Sequence, residues 1–184
     1  MDELKFYIDK VVAGETRYFK YFVDNYSRPS YTLALRLVKQ RETAEDLVQE
    51  SFVKLYKNLE NFNYSVKFTT WLYKIVYNTC LDYLRKNNNF NNFVEIDSER
   101  FDFEDSEVDF DAEYKDEVVR KAIHQLKDNY SAIMTMYYLE DMDLNEISTI
   151  TGENKNVLKV KLFRGRKMLE DILRKELEIE GAIQ

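Results

Sequence analysis

The sequence predicts an all-α protein of two small helical domains, and three observations lead to this fold class. Only four glycines and one proline interrupt the 184 residues, whereas strands and hairpins need turn residues at intervals of about 8 to 12. Apolar residues make up 45% of the chain and aromatic residues 15%, which is enough for hydrophobic cores. Through most of the chain, these apolar residues recur at the spacing of amphipathic helices.

The N-terminal part of the chain predicts three helices. Residues 4–25 and 30–40 form the first two, and the second begins just past Pro29. Residues 43–62 form the third helix, with Thr43 as its N-cap.

The third predicted helix separates apolar from polar side chains. Its apolar residues step by three and four positions and so share one face: Val48, Phe52, Leu55, Leu59 and Phe62. The opposite arc carries Asp46, Gln49, Glu50, Val53 and Lys57. The pattern alone favours an ordinary solvated face for this arc.

A short loop at 63–67 leads into a fourth helix at 68–86, on which Thr70, Lys74, Asn78, Leu81 and Arg85 form a separate stripe. Between residues 64 and 93 the only acid is Asp82, and basic residues alternate with aromatic ones. Proteins grip single-stranded nucleic acid in this way, with cations on the backbone and rings stacked on bases. The alternative is that these rings are core, with Trp71 and the loop as exceptions.

Acidic residues crowd residues 95–117, where twelve of them outnumber Arg100 and Lys115. Residues 89–112 mix asparagine and acids with no sustained period, which predicts an acidic and mostly irregular linker. The chain is therefore expected to divide into a domain at 1–88, the linker at 89–112, a domain at 113–178 and a tail at 179–184.

The second domain predicts four helices, which span 113–127, 131–139, 144–150 and 154–178. Asp143 and Glu146 have the spacing of a capping box at the start of the third of these. Gly152 can supply the positive φ that closes the turn before the last helix. The pair of helices predicts a helix-turn-helix.

The last helix is basic and carries no acid over residues 154–168. Its cations are Lys155, Lys159, Lys161, Arg164, Arg166 and Lys167. One stripe faces the core through Leu158, Leu162, Gly165 and Leu169, and the other side presents Lys155, Asn156, Lys159, Val160, Phe163 and Lys167. Such a helix fits the DNA major groove. The alternative is a solvated helix packed on a small bundle.

Composition excludes several classes of site. The lone Cys80 and lone His124 rule out a disulfide framework and a protein-only Cys/His zinc site. No spacing suggests a catalytic constellation, so no enzyme activity, metal or cofactor is expected. Since no apolar run reaches the length of a membrane span and no signal peptide is visible, we expect a cytoplasmic protein without membrane insertion.

Three stretches of the sequence resemble one family. They are AEDLVQESFVKLYKNLENF, FTTWLYKIVYNTCLDYLRK and DLNEISTITGENKNVLKVKLFRGRKML. They are similar to regions 2 and 4 of sigma-70 family initiation factors, and the small size and acidic linker resemble the extracytoplasmic-function (ECF) subgroup. The resemblance covers about residues 19–174. It implies an all-helical transcription initiation factor that is not an enzyme, since RNA polymerase supplies the chemistry.

The resemblance implies roles for residues of region 2. Those expected to dock on the clamp helices of the polymerase β′ subunit are Asp46, Gln49, Glu50 and Lys57, which replaces the solvated-face interpretation. The loop that captures a flipped base of the −10 element corresponds to 63–67, with Asn63, Tyr64 and Lys67. The DNA-contacting and melting helix supplies Trp71, Lys74, Asn78, Asp82, Arg85 and Lys86.

The resemblance also implies roles and partners for the rest of the chain. The helix that reads the −35 element supplies Lys155, Asn156, Lys159, Val160, Phe163 and Lys167. The linker corresponds to a segment threaded through the polymerase cleft. Expected partners are core RNA polymerase, through its β′ clamp and β flap, and promoter DNA in duplex and single-stranded form. An anti-sigma factor is a further partner that the family allows.

Some residues depart from the family pattern. Val157 and Val160 stand where Thr and Ser are usual, Gly165 replaces Ala, and Glu153 is acidic where the turn normally carries an apolar residue. Valine can contact a thymine methyl group but cannot donate or accept a hydrogen bond. This predicts a looser −35 readout, or promoter addressing shared with another DNA-targeting partner. Two other functions stay open: a helix-turn-helix regulator that does not dock on polymerase, and an interaction module that does not bind DNA.

Overall fold

The computed structural model describes residues 2–87 and 116–182, and the chain divides into two compact units. Within these described residues all regular secondary structure is helical, which confirms the predicted fold class. The predicted linker at 89–112 and the start of the helix predicted at 113–127 lie outside them. In the described parts of the chain, no helix combines the length and apolarity needed to cross a membrane.

The first unit contains helices α1 to α4. Its elements are α1 at Asp2–Val12, a 3-10 helix at Thr16–Phe19, α2 at Lys20–Val38, α3 at Arg41–Asn58, a 3-10 helix at Leu59–Asn61 and α4 at Phe68–Lys86. Helices α2, α3 and α4 pack against one another, and α1 packs on the 3-10 helix after α3. Fully buried side chains at the centre include Phe22, Leu33, Leu55 and Leu72.

The first two predicted helices were wrong in their bounds. Instead of one helix at 4–25, α1 and α2 are separated by a turn in which Gly14 has a φ of 91°. Instead of beginning past Pro29, α2 runs through it. Phe22 and Leu33, on either side of the proline, are both fully buried. Packing of one continuous helix therefore outweighs the backbone hydrogen bond that proline cannot donate.

Helix α3 begins two residues before the predicted start. Gln40 is its N-cap, so Thr43 lies inside the first turn, where its hydroxyl donates to Gln40 Oε1 at 3.1 Å. Thr43 is therefore not the N-cap. The apolar stripe of this segment is confirmed, since all five of its residues from Val48 to Phe62 are at most 8% exposed.

The second unit contains helices α5, α6 and α8 and most of α7. Its elements are α5 at Asp116–Gln125, α6 at Asp128–Met134, a π-helix at Thr135–Leu139, α7 at Leu144–Thr151 and α8 at Lys155–Ala182. Helix α8 packs against α5 and α6. The helix predicted at 131–139 thus begins at Asp128 and ends as a π-helix, and the last helix continues beyond residue 178.

The turn chemistry predicted for the helix-turn-helix is confirmed. Asp143 Oδ1 accepts from the backbone N–H of Asn145 at 2.6 Å and of Glu146 at 2.9 Å. The carboxylate of Glu146 accepts from the backbone N–H of Asp143 at 3.2 Å, which completes the capping box. Gly152 ends α7 with a φ of 76°, a conformation that favours glycine.

Candidate docking and nucleic-acid interfaces

Helix α3 presents a polar arc to solvent. The four predicted docking residues all lie exposed on it: Asp46, Gln49, Glu50 and Lys57. The opposite face is buried through Leu47, Phe52 and Leu55. The structure therefore brings the four side chains together on one accessible surface, which we call the docking arc.

Two exposed apolar side chains lie beside the polar residues of the docking arc. Val53 is 52% exposed and Tyr56 is 41% exposed, and the Tyr56 ring meets the Phe19 ring edge-on at 5.2 Å. The sequence prediction placed Val53 on the arc without a role and overlooked Tyr56. The signal was present, because both residues lie outside the apolar stripe of α3. Apolar side chains with a polar rim are typical of protein–protein interfaces.

Lys54 connects α3 to α4. Its ammonium lies 2.8 Å from Glu50 Oε1 and donates to the hydroxyl of Thr79 at 3.0 Å. The Thr79 hydroxyl in turn donates to the carbonyl of Ile75 at 2.8 Å. An exposed carboxylate of the docking arc is thereby linked to a buried residue of the neighbouring helix. The sequence prediction did not use Lys54, although its spacing of four from Glu50 favours an ion pair.

The loop between the Leu59–Asn61 helix and α4 has a defined backbone. Asn63 Oδ1 accepts from the backbone N–H of Ser65 at 3.0 Å, and Tyr64 has a φ of 60°. The side chains of Asn63, Tyr64 and Lys67 are all exposed. Partial burial raises the pKa of the Tyr64 hydroxyl, and the Asp9 carboxylate adds to this effect. The ring is therefore neutral at physiological pH and accessible at the tip of the loop.

Aromatic rings form a cluster behind this loop. The Phe62 ring lies 4.8 Å from that of Tyr64 and 5.1 Å from that of Trp71. The centre of the Trp71 ring also lies 6.0 Å from the centre of the Phe68 ring, and Phe68 is buried. Trp71 itself is half-buried, so it supports the cluster and remains partly accessible. A neutral, ring-lined surface of this kind is suited to stacking on unpaired bases.

The accessible side of α4 differs from the stripe grouped by spacing. Thr70 is fully buried and Leu81 is 9% exposed, because α4 packs against both α2 and α3. The accessible stripe runs instead through Lys67, Trp71, Lys74, Asn78, Asp82 and Arg85, with Lys86 exposed beside it. Arg85 Nη1 lies 3.3 Å from Asp82 Oδ1, so the one acid of this stripe is paired with a neighbouring cation.

Helix α8 has the two faces that the sequence predicts. The core stripe is buried through Leu158, Leu162, Gly165 and Leu169. On the other side Lys155, Asn156, Lys159 and Lys167 are exposed, and Val160 and Phe163 are half-buried. The Lys167 ammonium lies 5.6 Å from the centre of the Phe163 ring. The structure therefore presents the six predicted contact residues together on one side of the helix.

Two cations of α8 do not belong to this exposed side. Lys161 is 6% exposed and its ammonium lies 2.6 Å from Glu153 Oε1. Arg166 is half-buried, with Nη1 lying 3.5 Å from the hydroxyl of Tyr138. The sequence prediction left both residues out of the DNA-contacting set but could not name their partners, which lie eight or more residues away along the chain.

Comparison with known proteins agrees with this architecture. Residues 22–90 match the family model described as sigma-70 region 2, and residues 116–169 match the one described as sigma-70, region 4. The chain is 32% identical over 154 residues to the RNA polymerase sigma factor SigV of Bacillus subtilis, covering 84% of this chain and 90% of SigV. It is 28% identical over 180 residues to the ECF RNA polymerase sigma factor SigW of the same organism, covering 91% and 95% of the two chains.

Solved structures share the fold. The sigma factor RpoE of Bartonella quintana, crystallised with the anti-sigma factor NepR, superposes with a TM-score of 0.63 at 19% identity, covering 85% of this chain and 96% of RpoE. CnrH, in complex with the cytosolic domain of CnrY, gives a TM-score of 0.62 at 16% identity, covering 92% and 96% of the two chains. By its family matches and its curated relatives, this chain belongs to the sigma-70 family of RNA polymerase sigma factors, in the ECF group.

Proposed function

We propose that this chain is a transcription initiation factor that binds core RNA polymerase, directs it to specific promoters and helps to open them. Residues 1–88 act as region 2 and residues 113–178 as region 4. The observation that carries the proposal lies within the first unit. The docking arc of α3 and the ring-lined loop with the accessible stripe of α4 belong to one small body, and Lys54 links the two helices.

The docking arc binds the β′ clamp in this proposal. Asp46 and Glu50 supply negative charge, Gln49 and Lys57 supply further polar contacts, and Val53 and Tyr56 supply the apolar centre. Exposed apolar side chains within a polar surface support an interface rather than a solvated face. Their transfer from water to the surface of a partner is favourable, whereas their exposure in the free chain is not. The second polymerase contact, with the β flap, belongs to region 4.

Promoter opening uses the loop and α4. Extruding a base costs a few kcal/mol, and a surface that holds the extruded base offsets that cost. Asn63, Tyr64 and Trp71 supply polar and stacking groups for the base. The cations Lys67, Lys74, Arg85 and Lys86, with Asn78, follow the backbone of the separated strand. The proposal is supported by the exposure of these groups along one side of α4.

The exposed side of α8 contacts the −35 region in duplex form. Lys155, Lys159 and Lys167 neutralise phosphates, and Asn156, Val160 and Phe163 lie where base edges are read. The half-buried Val160 offers no hydrogen bond to a base. The −35 element is therefore read loosely, or another DNA-targeting partner supplies part of the promoter specificity. A steep loss of transcription on scrambling only the −35 sequence would contradict this.

The proposal also states where the chain acts and how it is regulated. The chain works beside polymerase on chromosomal DNA, which places it in the cytoplasm, and polymerase performs the chemistry. A protein of the same fold, RpoE of Bartonella quintana, was crystallised with an anti-sigma factor. An anti-sigma factor that covers the docking arc would hold this chain inactive, and we include such a partner in the proposal.

In vitro transcription tests the proposed function. Core polymerase is incubated with a genomic template with and without this chain, and transcript 5′ ends are mapped. New start sites that depend on the chain are expected, with a shared −10 sequence upstream. If no new start appears, while the chain alone binds duplex DNA tightly, it is a helix-turn-helix regulator instead. If neither polymerase nor DNA is bound, the interaction-module alternative holds.

A further inference from the structure

The ion pair between Glu153 and Lys161 joins the turn of the helix-turn-helix to α8. The Lys161 ammonium lies 2.6 Å from Glu153 Oε1, and the two side chains are 6% and 25% exposed. Among the described residues, Arg36 and Lys161 are the charged side chains that count as buried. A lysine this deep is stable only with its partner in place, because an unpaired buried ammonium carries a large desolvation penalty.

The backbone around Glu153 is fixed by separate hydrogen bonds. The hydroxyl of Ser148, on α7, donates to the carbonyl of Glu153 at 2.6 Å. The backbone N–H of Gly152 donates to the carbonyl of Ser148 at 2.9 Å. Asn154 Oδ1 accepts from the backbone N–H of Val157 at 3.0 Å and so caps the start of α8. Glu153 is thus held between the end of one helix and the start of the next.

The ion pair adds a contact two turns further along α8. Lys161 follows Glu153 by eight residues, so the pair ties the loop before α8 to the end of the second turn of the helix. Glu153 stands where the family pattern normally has an apolar residue, and its charge is matched by the ammonium of Lys161. This arrangement restricts the direction of α8 relative to α7, which is what sets a DNA-contacting helix in the groove.

We infer that Glu153 and Lys161 are a positioning pair that sets the direction of α8, and that Lys161 is thereby removed from the cations that contact DNA phosphates. The inference rests on the proposed function of α8. It divides the basic residues of the helix by role: Lys155, Lys159 and Lys167 are exposed and contact phosphates, whereas Lys161 acts through Glu153.

Two experiments on the full-length chain test the pair. The first is a double-mutant cycle of Glu153→Leu and Lys161→Met, followed by urea unfolding. Glu153→Leu leaves the buried Lys161 ammonium without its carboxylate, and Lys161→Met leaves the partly buried Glu153 carboxylate without this ammonium. The double variant removes both charges, so we expect it to unfold at a higher urea concentration than either single variant. If the two effects simply add, the pair is not coupled and the inference is wrong.

The second experiment measures DNA binding by holoenzyme on a promoter duplex selected from a random-sequence pool. The logarithm of the DNA association constant falls linearly with the logarithm of the salt concentration. Each lost phosphate contact makes this slope less steep by about 0.9. We expect Lys159→Met to reduce the slope by this amount. The Lys161→Met variant should lose affinity with its slope unchanged, and the Glu153→Leu/Lys161→Met variant should regain that affinity.

The outcomes separate the inference from the proposed function. A slope reduced by Lys161→Met as much as by Lys159→Met would show that Lys161 contacts DNA, and the inference would fail. If holoenzyme with the unaltered chain selects no duplex, the proposed function fails instead, and the unfolding cycle still decides whether the two residues are coupled.

Discussion

Gly165 lies directly against Met134: a β-carbon placed on Gly165 would be 3.0 Å from Met134 Sδ and 3.1 Å from its Cγ. Met134 is fully buried, so its side chain has little room to move away. The glycine therefore allows α8 to approach α6 closely. Close packing therefore explains why glycine stands at position 165, although glycine destabilises a helix by up to about 1 kcal/mol relative to alanine.

We expect Gly165→Ala to give almost no net change in the free energy of unfolding. The gain in helix propensity is offset by the close contact with Met134. In a Met134→Ala background the contact is gone, so the same substitution should stabilise by about 1 kcal/mol relative to that background. Urea unfolding of the four proteins measures the coupling. Equal effects of Gly165→Ala in both backgrounds would show that Met134 does not limit position 165.

The fold class and the faces of the long helices could be predicted from the sequence, because apolar spacing records which side of a helix is buried. The predicted exposure of Asp46 and Glu50 and the burial of Leu158 rest on this periodicity alone. Pro29 could not be placed correctly, since its local preference is outweighed by packing of residues far apart in the chain. The local capping signal was correct for Asp143 and Glu146 but wrong for Thr43, because α3 begins two residues earlier.

Side-chain roles that depend on distant partners were not visible in the sequence. Thr70 and Leu81 were grouped with Lys74, Asn78 and Arg85 because only their spacing on α4 was known, and the packing of α2 and α3 buries both residues. Lys161 was counted among the cations of α8 but not among its DNA-contacting residues, and its pairing with Glu153 could not be read from spacing alone. Tyr56 was overlooked although its place outside the apolar stripe of α3 predicts an exposed aromatic side chain.

The charge-reversal variant Asp46→Arg/Glu50→Arg should abolish binding to core polymerase. Both side chains are exposed, so the helical content should not change. Reversed charges at an interface meet like charge on the partner, which costs several kcal/mol. Co-purification with tagged core polymerase and circular dichroism measure the two properties.

A matched control is Glu170→Arg/Asp171→Arg, which makes the same change of net charge at two exposed residues of α8. We expect this control to co-purify with polymerase. Retained binding by the Asp46→Arg/Glu50→Arg variant would move the docking surface away from α3.

Tyr56→Ala should weaken the complex with core polymerase by about 2 kcal/mol, or roughly 30-fold in Kd, because buried aromatic residues dominate many interfaces. The free chain should also lose stability, because the Tyr56 ring packs edge-on against Phe19, so binding is measured where both proteins are fully folded. Tyr56→Phe keeps the ring and should bind nearly as well as the unaltered chain. A fluorescence titration of labelled chain with core polymerase gives the Kd values. Equal affinity of the alanine and unaltered proteins would exclude Tyr56 from the interface.

Tyr64→Asn should impair promoter opening by about tenfold while leaving the loop backbone intact. Asparagine tolerates the positive φ of 60° found at this position, but it removes a ring that can stack on a base. Permanganate footprinting of thymines in the −10 region measures opening. Tyr64→Phe should open the promoter normally, and a premelted template should restore transcription by Tyr64→Asn. Normal opening by Tyr64→Asn on a duplex template would assign base capture to another residue.

Cys80 should make the stability of the chain fall at alkaline pH. Burial raises the pKa of its thiol to about 12, with the Glu50 carboxylate adding to the effect and Lys54 opposing it. In the unfolded chain a cysteine thiol has a pKa of about 8.5. Between these two values the unfolded state releases a proton that the folded state retains, so the free energy of unfolding decreases as pH rises, by up to about 1.4 kcal/mol per pH unit.

The variant Cys80→Ala isolates this contribution, because every other titrating group is shared. We expect the stability advantage of the unaltered chain over Cys80→Ala to be constant below about pH 8.5 and to shrink steadily above it. Urea unfolding at half-unit steps from pH 7 to 10.5 measures the difference. Because the thiol is fully buried, it should also resist a thiol reagent at pH 8 until urea unfolds the chain. Parallel stability curves for the two proteins, or rapid labelling without urea, would show that Cys80 ionises in the folded chain.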